Sequence, residues 1–351
     1  MLAKLFRDIS ASCLPGSPLT HALLNSAADD LESGGVTNLA MAGSERDRPG
    51  TVPGLRFAAA LHHLVLDGRA PELAAHYPSV GGTPRLETLW SDAEAALKEH
   101  EAEVRRLVRA NAVQTNEPGR NGPLYGGLLV ASERVGGLPV RLLEVGSSGG
   151  LNLRPHKVAY QLADGTVLGD PSSELRLNPE WTGLPPADLE RPLGLESRAG
   201  CDTHPVDVTT KAGQLHLSSY VWADMVPRME RLRAAIRLAE TDPVPVERAD
   251  GSEWLERRLT ELPEGVLTVV WHSVMWQYAS PAQRERGRAA LAGAAARATE
   301  SAPLALLVYE PRRANGNFEL LLKLWPAGLS LRLGHGWGHG LPFTWEERPW
   351  G

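Results

Sequence analysis

Cysteine is scarce in this chain. Among its 351 residues only Cys13 and Cys201 occur, so no disulfide framework can hold the fold together, and no CxxC or Cys/His cluster has the spacing of a structural zinc site. Such sparing use of cysteine is typical of a protein that folds in a reducing compartment. We therefore expect a cytoplasmic location.

Long apolar runs and excess positive charge are also missing. No stretch reaches the roughly 18 apolar residues of a membrane-spanning helix, and Lys4, Arg7 and Asp8 interrupt the region where a signal peptide needs an unbroken apolar segment. With Lys+Arg 36 against Asp+Glu 42 the formal net charge is -6, which gives no general attraction to nucleic acid or to an anionic membrane surface. The sequence favours a small molecule as partner, with neither nucleic acid nor a membrane.

What the chain does have is an ordinary globular composition, 42% hydrophobic and 22% charged, at a length of one large domain or two. Up to about Gly136 its periodicity is helical. Helices are predicted at 18–33, after the Ser17-Pro18 cap, and at 55–66, 91–110 and 124–135. We expect a helical cap domain over residues 1–137.

The periodicity changes after Pro139. Short apolar runs alternate with helical segments, and continuous apolar strands are typical of a parallel sheet that is buried on both faces. The predicted strands are 140–145, 244–249, 266–271 and 304–309, and the predicted helices are 218–239, 252–262 and 281–299. Two further runs, 318–325 and 329–334, are joined by a three-residue turn and must pair antiparallel.

The predicted fold of residues 138–351 is therefore α/β, a Rossmann-like mostly parallel sheet that ends in an antiparallel hairpin. Residues 152–197 interrupt the alternation of strand and helix. They contain a predicted β-hairpin around Ala163-Asp164-Gly165. We interpret this stretch as an insertion after the first parallel strand.

The most informative segment is the turn Gly146-Ser147-Ser148-Gly149-Gly150, which follows the strand 140–145. Small residues there let a ligand approach the backbone. A dinucleotide-binding turn would carry a second glycine at the position of Ser148 and would continue into a long helix, for which Pro155 leaves little room. No phosphate-cradling G-x-x-x-x-G-K-[ST] motif occurs. The pattern disfavours NAD and FAD.

An acidic residue followed by small residues at alternate positions resembles the first motif of the class I S-adenosylmethionine-dependent methyltransferases. The resemblance implies S-adenosylmethionine as cofactor, whose sulfonium and ammonium charges suit a nearby carboxylate. It also implies that Asp202, which ends the second strand, meets the ribose hydroxyls, and that Asp250, after the third strand, meets the adenine amine. The cofactor-binding residues expected from it are Glu144, Gly146, Ser147, Ser148, Gly150, Asn152, Asp202, Asp250 and Gly251.

Nearly the whole chain also resembles an uncharacterised bacterial family, domain of unknown function 2332. Five separated motifs carry this resemblance in order, at 114–120, 143–153, 169–171, 198–207 and 272–273. The resemblance implies a Rossmann-like fold and no assigned reaction.

Two polar segments are candidates for catalysis and substrate binding. Asn116, Glu117 and Arg120 either reach the Gly146 turn and contact substrate, or serve as helix caps and an Arg–Glu pair. His272 and Ser273 follow the fourth strand, at the sheet edge where open α/β proteins bind ligands. His272 is either a general base or a hydrogen-bonded histidine that shapes the pocket.

Three further side chains are candidates for positions near the cleft. Tyr278 is expected in the pocket wall or the core, and Glu310 follows the fifth strand as His272 follows the fourth. His335 lies in a glycine-rich segment that we expect to be a flexible loop near the cleft. His335 and His339 are four residues apart, but the interleaved glycines oppose the helix that a metal site of this spacing requires, so no metal is expected.

The leading hypothesis is methyl transfer from S-adenosylmethionine to a small-molecule oxygen or nitrogen. His272, Glu117 and Arg120 are the expected catalytic residues, with His272 or Glu117 as the base. The expected substrate contacts are Asn116, Ser273, Tyr278 and His335. The alternative is a non-catalytic ligand-binding or regulatory protein that retains the fold with a degenerate cofactor turn.

Overall fold

The computed structural model describes residues 1–44, 51–110, 113–312 and 317–350. The chain divides into two compact units. The helical unit comprises Met1–Thr115 with Asp207–Arg233, and the sheet unit comprises Asn116–Val206 with Ala234–Gly351. This division differs from the predicted boundary at residues 137 and 138, because the segment 116–137 belongs to the sheet unit and the segment 207–233 to the helical unit.

The helical unit is built from helices that bury one face each. Their bounds are Leu2–Cys13 (α1), Pro18–Ser33 (α2), Val36–Ala40 (α3), Pro53–Leu66 (α4), Pro71–Ala74 (α5) and Leu86–Ala110 (α6). The helix α2 follows the predicted local rules, since the Ser17 hydroxyl accepts the Thr20 N–H at its start and Gly34, with φ 78°, ends it in the left-handed conformation. Phe6 of α1 and Phe57 of α4 are buried in its core with ring centroids 5.4 Å apart.

The helix predicted at 218–239 begins later than expected, and its first two residues belong to a separate helix. Helix α8 spans Lys211–Ser219 and helix α9 spans Val226–Thr241. Pro227 stands in the first turn of α9, the position in a helix where a proline costs no backbone hydrogen bond. The periodicity on either side concealed the break. The division between the two units falls within α9.

The sheet unit begins with helix α7, Asn121–Glu133, which is buried from Asn121 to Ser132. It packs on the strands β9 (Leu304–Pro311) and β10 (Phe318–Trp325). The approach is close, because a Cβ atom at Gly127 would lie 2.8 Å from Leu307. A helix buried along its length belongs to the core of the sheet, and helical periodicity alone does not show which unit a helix joins.

The remaining strands of the main sheet are β1 (Val140–Val145), β5 (Trp181–Thr182), β6 (Leu195–Asp202), β7 (Val246–Arg248), β8 (Leu267–Ser273), β11 (Leu329–Gly336) and β12 (Phe343–Pro349). Among the described strands the order is β5-β12-β11-β10-β9-β8-β1-β6-β7. Strands β7, β6, β1, β8 and β9 are parallel, and β10, β11 and β12 continue the sheet antiparallel. The mixed α/β architecture, its mostly parallel sheet and its terminal antiparallel strands are confirmed. Strand β12 was not predicted.

The parallel strands define where a ligand is expected. In chain order they occupy positions 3-2-1-4-5 across the sheet. Successive strands are therefore added on one side of β1 up to β7 and on its other side from β8 onward. Open α/β sheets bind ligands beyond the carboxyl ends of their strands at such a switch point. The helices α10 (Gly251–Arg258) and α11 (Pro281–Ala295) follow β7 and β8 in the chain.

The insertion after β1 forms a small sheet of its own. Strands β2 (Ala159–Gln161) and β3 (Val167–Gly169) pair antiparallel as the predicted hairpin, and β4 (Arg176–Leu177) joins β2 in parallel. Two expectations differ in detail. Strand β6 already begins at Leu195, and β11 extends to Gly336, so His335 lies in a strand and the predicted loop begins after it. In the part of the chain that the structure describes, no helix combines the length and apolar character needed to cross a bilayer.

One carboxylate secures the start of α2 in the helical unit. Asp224 accepts the Leu19 N–H at 3.0 Å and the Ser17 hydroxyl. We predict that Asp224→Ala lowers the free energy of unfolding by about 1–2 kcal/mol, because a capping interaction and a partly buried acceptor are lost. Asp8→Ala, in the exposed Lys4–Asp8 pair, is the control and should cost under about 0.5 kcal/mol. Equal thermal unfolding of the two variants would contradict the prediction.

Candidate functional site

The turn after β1 is held in an unusual backbone conformation. Gly146, Ser148 and Gly150 have φ values of 75°, 53° and 67°, and only glycine adopts this region without strain. A Cβ atom at Gly146 would lie 2.9 Å from the Met275 side chain, and one at Gly150 would lie 2.9 Å from Val246. The two glycines are therefore required by the packing of the chain itself, whatever ligand the turn holds.

Every backbone N–H from residue 146 to residue 151 has an acceptor within the sheet unit. The Cys201 carbonyl accepts the N–H groups of Gly146 and Ser147 at 2.9 and 3.0 Å, and the Ser147 carbonyl accepts that of Gly150 at 2.7 Å. Side chains accept the other three, from Ser148, Gly149 and Leu151. An anion-binding loop points such groups at its ligand. This turn has none to offer to a phosphate.

Asp202 is one of the two side chains that hold the turn. Its Oδ2 accepts the Ser148 N–H at 2.9 Å and its Oδ1 accepts the His204 N–H at 2.8 Å. The residue ends β6, as predicted, and lies directly against the turn. Asp202 therefore fixes the turn to the end of β6.

Asn116 is the second side chain that holds the turn. Its Oδ1 accepts the N–H groups of Gly149 at 3.1 Å and Leu151 at 3.0 Å. Nearby, Asn121 donates from Nδ2 to Oδ1 of Asn152 at 3.0 Å. The structure thus brings the segment 116–121 and the turn together within one unit. Asn121 was not singled out from the sequence, although it directly follows the polar motif.

Glu117 and Arg120 are buried on the same segment. Glu117 accepts the Gly119 N–H at 2.9 Å, which is the helix-cap alternative of the sequence analysis, and its other oxygen lies 3.8 Å from Nδ1 of His339. Arg120 donates from Nε to the Gly338 carbonyl at 3.0 Å. The Arg120 charge lowers the pKa of Glu144 and opposes the rise in the pKa of Tyr278, so it lies within electrostatic reach of both.

Glu144 is the least solvated acid at the turn. It is 2% exposed, and its Oε2 makes no hydrogen bond of regular geometry with the described residues, although the Trp271 indole and the Ser147 hydroxyl lie near the carboxyl. Burial raises its pKa to about 8, although the Trp271 indole, the Arg120 charge and the Ser147 hydroxyl partly offset that rise. Glu144 is therefore protonated at pH 7. Trp271, opposite Glu144 in the β1–β8 register, was not singled out from the sequence.

Buried polar atoms without partners surround the turn. In the described part of the chain these include Oε2 of Glu144, Oγ of Ser148 and Oδ1 of Asn121. Buried polar groups are nearly always paired, and an unpaired one indicates a water, an ion or a ligand. These three atoms near one turn are groups that water or a polar ligand could pair.

A histidine–carboxylate pair lies at the ends of the next two strands. His272 Nδ1 and Glu310 Oε1 are 2.7 Å apart, and the same oxygen accepts the N–H groups of Met275 at 3.1 Å and Trp276 at 3.2 Å. The Trp276 ring stacks on the imidazole with centroids 5.2 Å apart. His272 follows the apolar run of β8 as expected, and Glu310, which was predicted to follow the fifth strand, lies within β9.

Asp250 and Gly251 have structural roles that the sequence analysis did not foresee. Asp250 caps α10, where its Oδ1 accepts the Ser252 and Glu253 N–H groups, and its Oδ2 accepts Gln283 Nε2 at 2.5 Å. A Cβ atom at Gly251 would lie 2.5 Å from Val145. The Asp250 carboxylate is thus engaged on both oxygens, and Gly251 is needed for close packing on β1.

The expected substrate contacts are distributed unevenly. Ser273 is the buried last residue of β8, whereas Tyr278 is 59% exposed beyond it. His335 lies in β11, three strands from β8 and so about 14 Å away across the sheet. His335 is thereby removed from the His272 pair. Among the described residues, no group of three or more His, Cys, Asp or Glu side chains could hold a metal ion.

The Asn116 contacts generate the first prediction for the site. Asn116→Ala leaves the Gly149 and Leu151 N–H groups without their acceptor, so hydrogen exchange at these two amides should accelerate at least tenfold and unfolding should become easier by about 1–3 kcal/mol. Asn38→Ala changes an exposed asparagine in the helical unit and is the control. Unchanged protection of the two turn amides would show that Asn116 does not hold the turn.

The raised pKa of Glu144 leads to a second prediction for the site, a dependence of stability on pH. The folded state keeps the proton up to about pH 8, whereas the unfolded state releases it near the ordinary value of 4.5. Stability should therefore fall as pH rises between these values, by about 1.4 kcal/mol per pH unit. Glu144→Gln abolishes this loss, so its stability relative to wild type should improve by about 2–3 kcal/mol from pH 5.5 to pH 7.5, measured by chemical denaturation.

Glu103 provides the matched control for that measurement. Its hydrogen bond with Arg106 lowers the pKa of the carboxyl to about 2, so Glu103 is ionised in both states over the same range. Glu103→Gln should shift the free energy of unfolding by an amount that does not depend on pH. A pH-independent difference for Glu144→Gln as well would contradict the buried neutral carboxyl.

No curated protein and no solved structure gives a significant match to this chain. A family model does match, over residues 3–345, which is nearly the whole length. Its description is "Uncharacterized protein conserved in bacteria (DUF2332)", and the family is the one that the five ordered motifs indicate. The chain is a member of this uncharacterised bacterial family.

Proposed function

We propose that the protein is an S-adenosylmethionine-dependent methyltransferase that acts on a small molecule. The observation that carries the proposal is the complete use of the N–H groups from residue 146 to residue 151 by the protein's own acceptors. A turn without free donors is unsuited to a phosphate and so to a dinucleotide. It suits a ligand that is positively charged where it meets the turn.

The residues at the turn fit this ligand in two respects. Glu144 Oε2 and Ser148 Oγ are buried without partners, which leaves an acceptor and a hydroxyl for a polar molecule. Asp202 lies directly against the turn, at the end of the strand where the resemblance expects a carboxylate to meet the ribose hydroxyls. Glu144, Ser148, Asn152 and Asp202 would hold the cofactor, whereas Asp250 is already engaged as a helix cap.

When bound, S-adenosylmethionine supplies a methyl group that its sulfonium sulfur activates for transfer. An ionised Glu144 would compensate the positive charge of such a ligand, because a cation nearby favours the ionised form of a buried carboxyl. Binding near pH 7 should therefore release the Glu144 proton. His272, beyond the switch between β1 and β8, stands where a ligand at the turn and a second substrate would meet.

A non-catalytic ligand-binding or regulatory protein is the second candidate. The Met275 side chain against Gly146 and the engagement of Asp250 favour it, since both reduce the surface that a cofactor can use. On either proposal we infer a small-molecule ligand and a cytoplasmic protein. The free, buried state of Cys13 and Cys201 supports that location.

Calorimetric titration with S-adenosylmethionine tests the proposal. In a parallel unfolding experiment, the ligand at about 100 times its dissociation constant should raise the free energy of unfolding by about 2.7 kcal/mol. Titrations in two buffers of different ionisation enthalpy should show about one proton released per site at pH 7, from Glu144. Glu144→Gln should lose that release and bind at least tenfold more weakly, because the glutamine cannot become anionic.

Two comparisons make this result decisive. Glu103→Gln, which alters an acid of the helical unit, should bind as wild type does. NAD titrated in parallel should give no heat. Absence of binding to S-adenosylmethionine and to its demethylated product at millimolar concentration would overturn the cofactor assignment, and binding without methyl transfer to any acceptor would favour the second candidate.

A further inference from the structure

Glu310 determines which nitrogen of His272 carries a proton. Its Oε1 accepts the backbone N–H groups of Met275 and Trp276, so it acts as an acceptor there. An ionised carboxylate has no hydrogen to donate, so the third group on the same oxygen, Nδ1 of His272 at 2.7 Å, is assigned as a donor. In the neutral imidazole this assignment leaves the lone pair on Nε2.

The backbone between the two residues is arranged to build this contact. Val274 has φ 54° and donates its N–H to the Tyr309 carbonyl at 3.1 Å. A β-branched residue in the left-handed region is strained by roughly 1–3 kcal/mol, and such strain concentrates at functional sites. The bend that follows Ser273 carries the next two N–H groups onto Glu310.

The imidazole ring is also fixed in its plane. Trp276 stacks on it with an interplanar angle of 17°, and the His272 and Glu310 side chains are only 10% and 15% exposed. The His272 ring is thus held by the Glu310 carboxylate, by the stacked Trp276 indole and by its attachment to the strand β8. A histidine held this firmly, with its remaining lone pair on Nε2, has the preorganisation of a general base.

We propose that His272 and Glu310 form a proton-accepting pair and that the methyl acceptor is therefore a hydroxyl compound. The inference rests on the proposed methyltransferase function and narrows its substrate class from oxygen or nitrogen to oxygen. Glu310 is a positioning residue, and His272 is the group that meets the acceptor.

The step balances in charge and atoms. The acceptor O–H bond breaks and its proton passes to Nε2 of His272, while the oxygen uses a lone pair to form the bond to the methyl carbon. The methyl–sulfur bond breaks with its electron pair on sulfur, so the cationic donor leaves as a neutral thioether. The positive charge resides on the imidazolium, where the Glu310 carboxylate compensates it, until the proton passes to solvent.

The preference for oxygen follows from the chemistry of the two acceptors. A neutral amine attacks with a free lone pair and loses its proton after the new bond has formed. A hydroxyl oxygen is a poor nucleophile until its proton leaves, so a positioned base accelerates its reaction by about 10²–10⁴-fold. A fixed pair such as His272–Glu310 gives the larger advantage to the hydroxyl.

The first experiment measures the tautomer without any ligand. In protein labelled with ¹⁵N-histidine, the His272 signals, assigned by their loss in His272→Gln, should report the proton on Nδ1. Glu310→Gln should alter this signature. Asp92→Asn, which changes the carboxylate partner of His76 in the helical unit at 2.7 Å, is the matched control and should leave the His272 signals in place.

The second experiment measures transfer. A panel of hydroxyl compounds and their amine counterparts is incubated with S-adenosylmethionine carrying a labelled methyl group. We expect label on hydroxyl compounds only, and Glu310→Gln should slow that transfer about 100-fold or more while the dissociation constant for S-adenosylmethionine stays within twofold of wild type. Glu310→Asp, which retains the carboxylate, should recover part of the rate.

The outcomes separate the two proposals. A proton on Nε2 of His272 in the wild type, or transfer to amines alone, overturns the pair as the base for a hydroxyl. Equal loss of transfer and of cofactor affinity in Glu310→Gln also overturns it, because that pattern reflects a structural role. Failure to bind S-adenosylmethionine overturns the proposed function, and with it the hydroxyl substrate, even where the Nδ1 tautomer is observed.

Discussion

The structure around the site depends on one constraint, that a buried N–H group must have an acceptor. The turn from Gly146 to Leu151 is short of regular structure, so its donors cannot pair as they would within a helix or a strand. They are instead paired by a carbonyl of β6, by the Ser147 carbonyl within the turn, and by the side chains of Asp202 and Asn116. The polar motif before α7 and the acid that ends β6 are therefore parts of one assembly with the turn. The same pairing removes the donors that a phosphate would need, so a requirement of folding also restricts the ligand.

Elements with a strong local pattern were predictable from the sequence. The apolar runs at β1 and β10 gave their bounds directly, because buried strands permit few polar side chains. Membership of a core was not predictable in the same way. The periodicity of α7 indicates a helix but says nothing about which layer it packs on, and only the close approach of Gly127 to Leu307 shows that it belongs to the sheet. The C-terminal half of strand β12 carries charged residues. It therefore lacks the apolar pattern from which the other strands were predicted.

The site was partly predictable, and its errors have a common cause. An acid at the carboxyl end of a strand can bind a ligand, hold a loop or cap the next helix, and the sequence pattern for all three is the same. Asp202 holds the turn, whereas Asp250 caps α10 with an oxygen that accepts two backbone N–H groups. The glycines are ambiguous for a similar reason, since close packing and ligand access both demand a missing side chain. The left-handed Val274 has no sequence signal, because β-branched residues avoid that conformation and only the fold imposes it.

Two groups that can exchange protons with a ligand stand on adjacent strands of the sheet, Glu144 on β1 and His272 on β8. Burial keeps the first neutral at pH 7, while a carboxylate partner orients the second. On the proposed function their charges change in opposite senses. A cationic donor at the turn favours ionised Glu144, and its conversion to a neutral thioether removes part of that stabilisation, because a carboxylate in a poorly solvated site is costly without a nearby cation. The proton that His272 takes from a hydroxyl acceptor and the proton that Glu144 regains afterwards then belong to the same cycle. On the proposed function, the buried position of Glu144 would thus favour binding of the charged donor over retention of its neutral product.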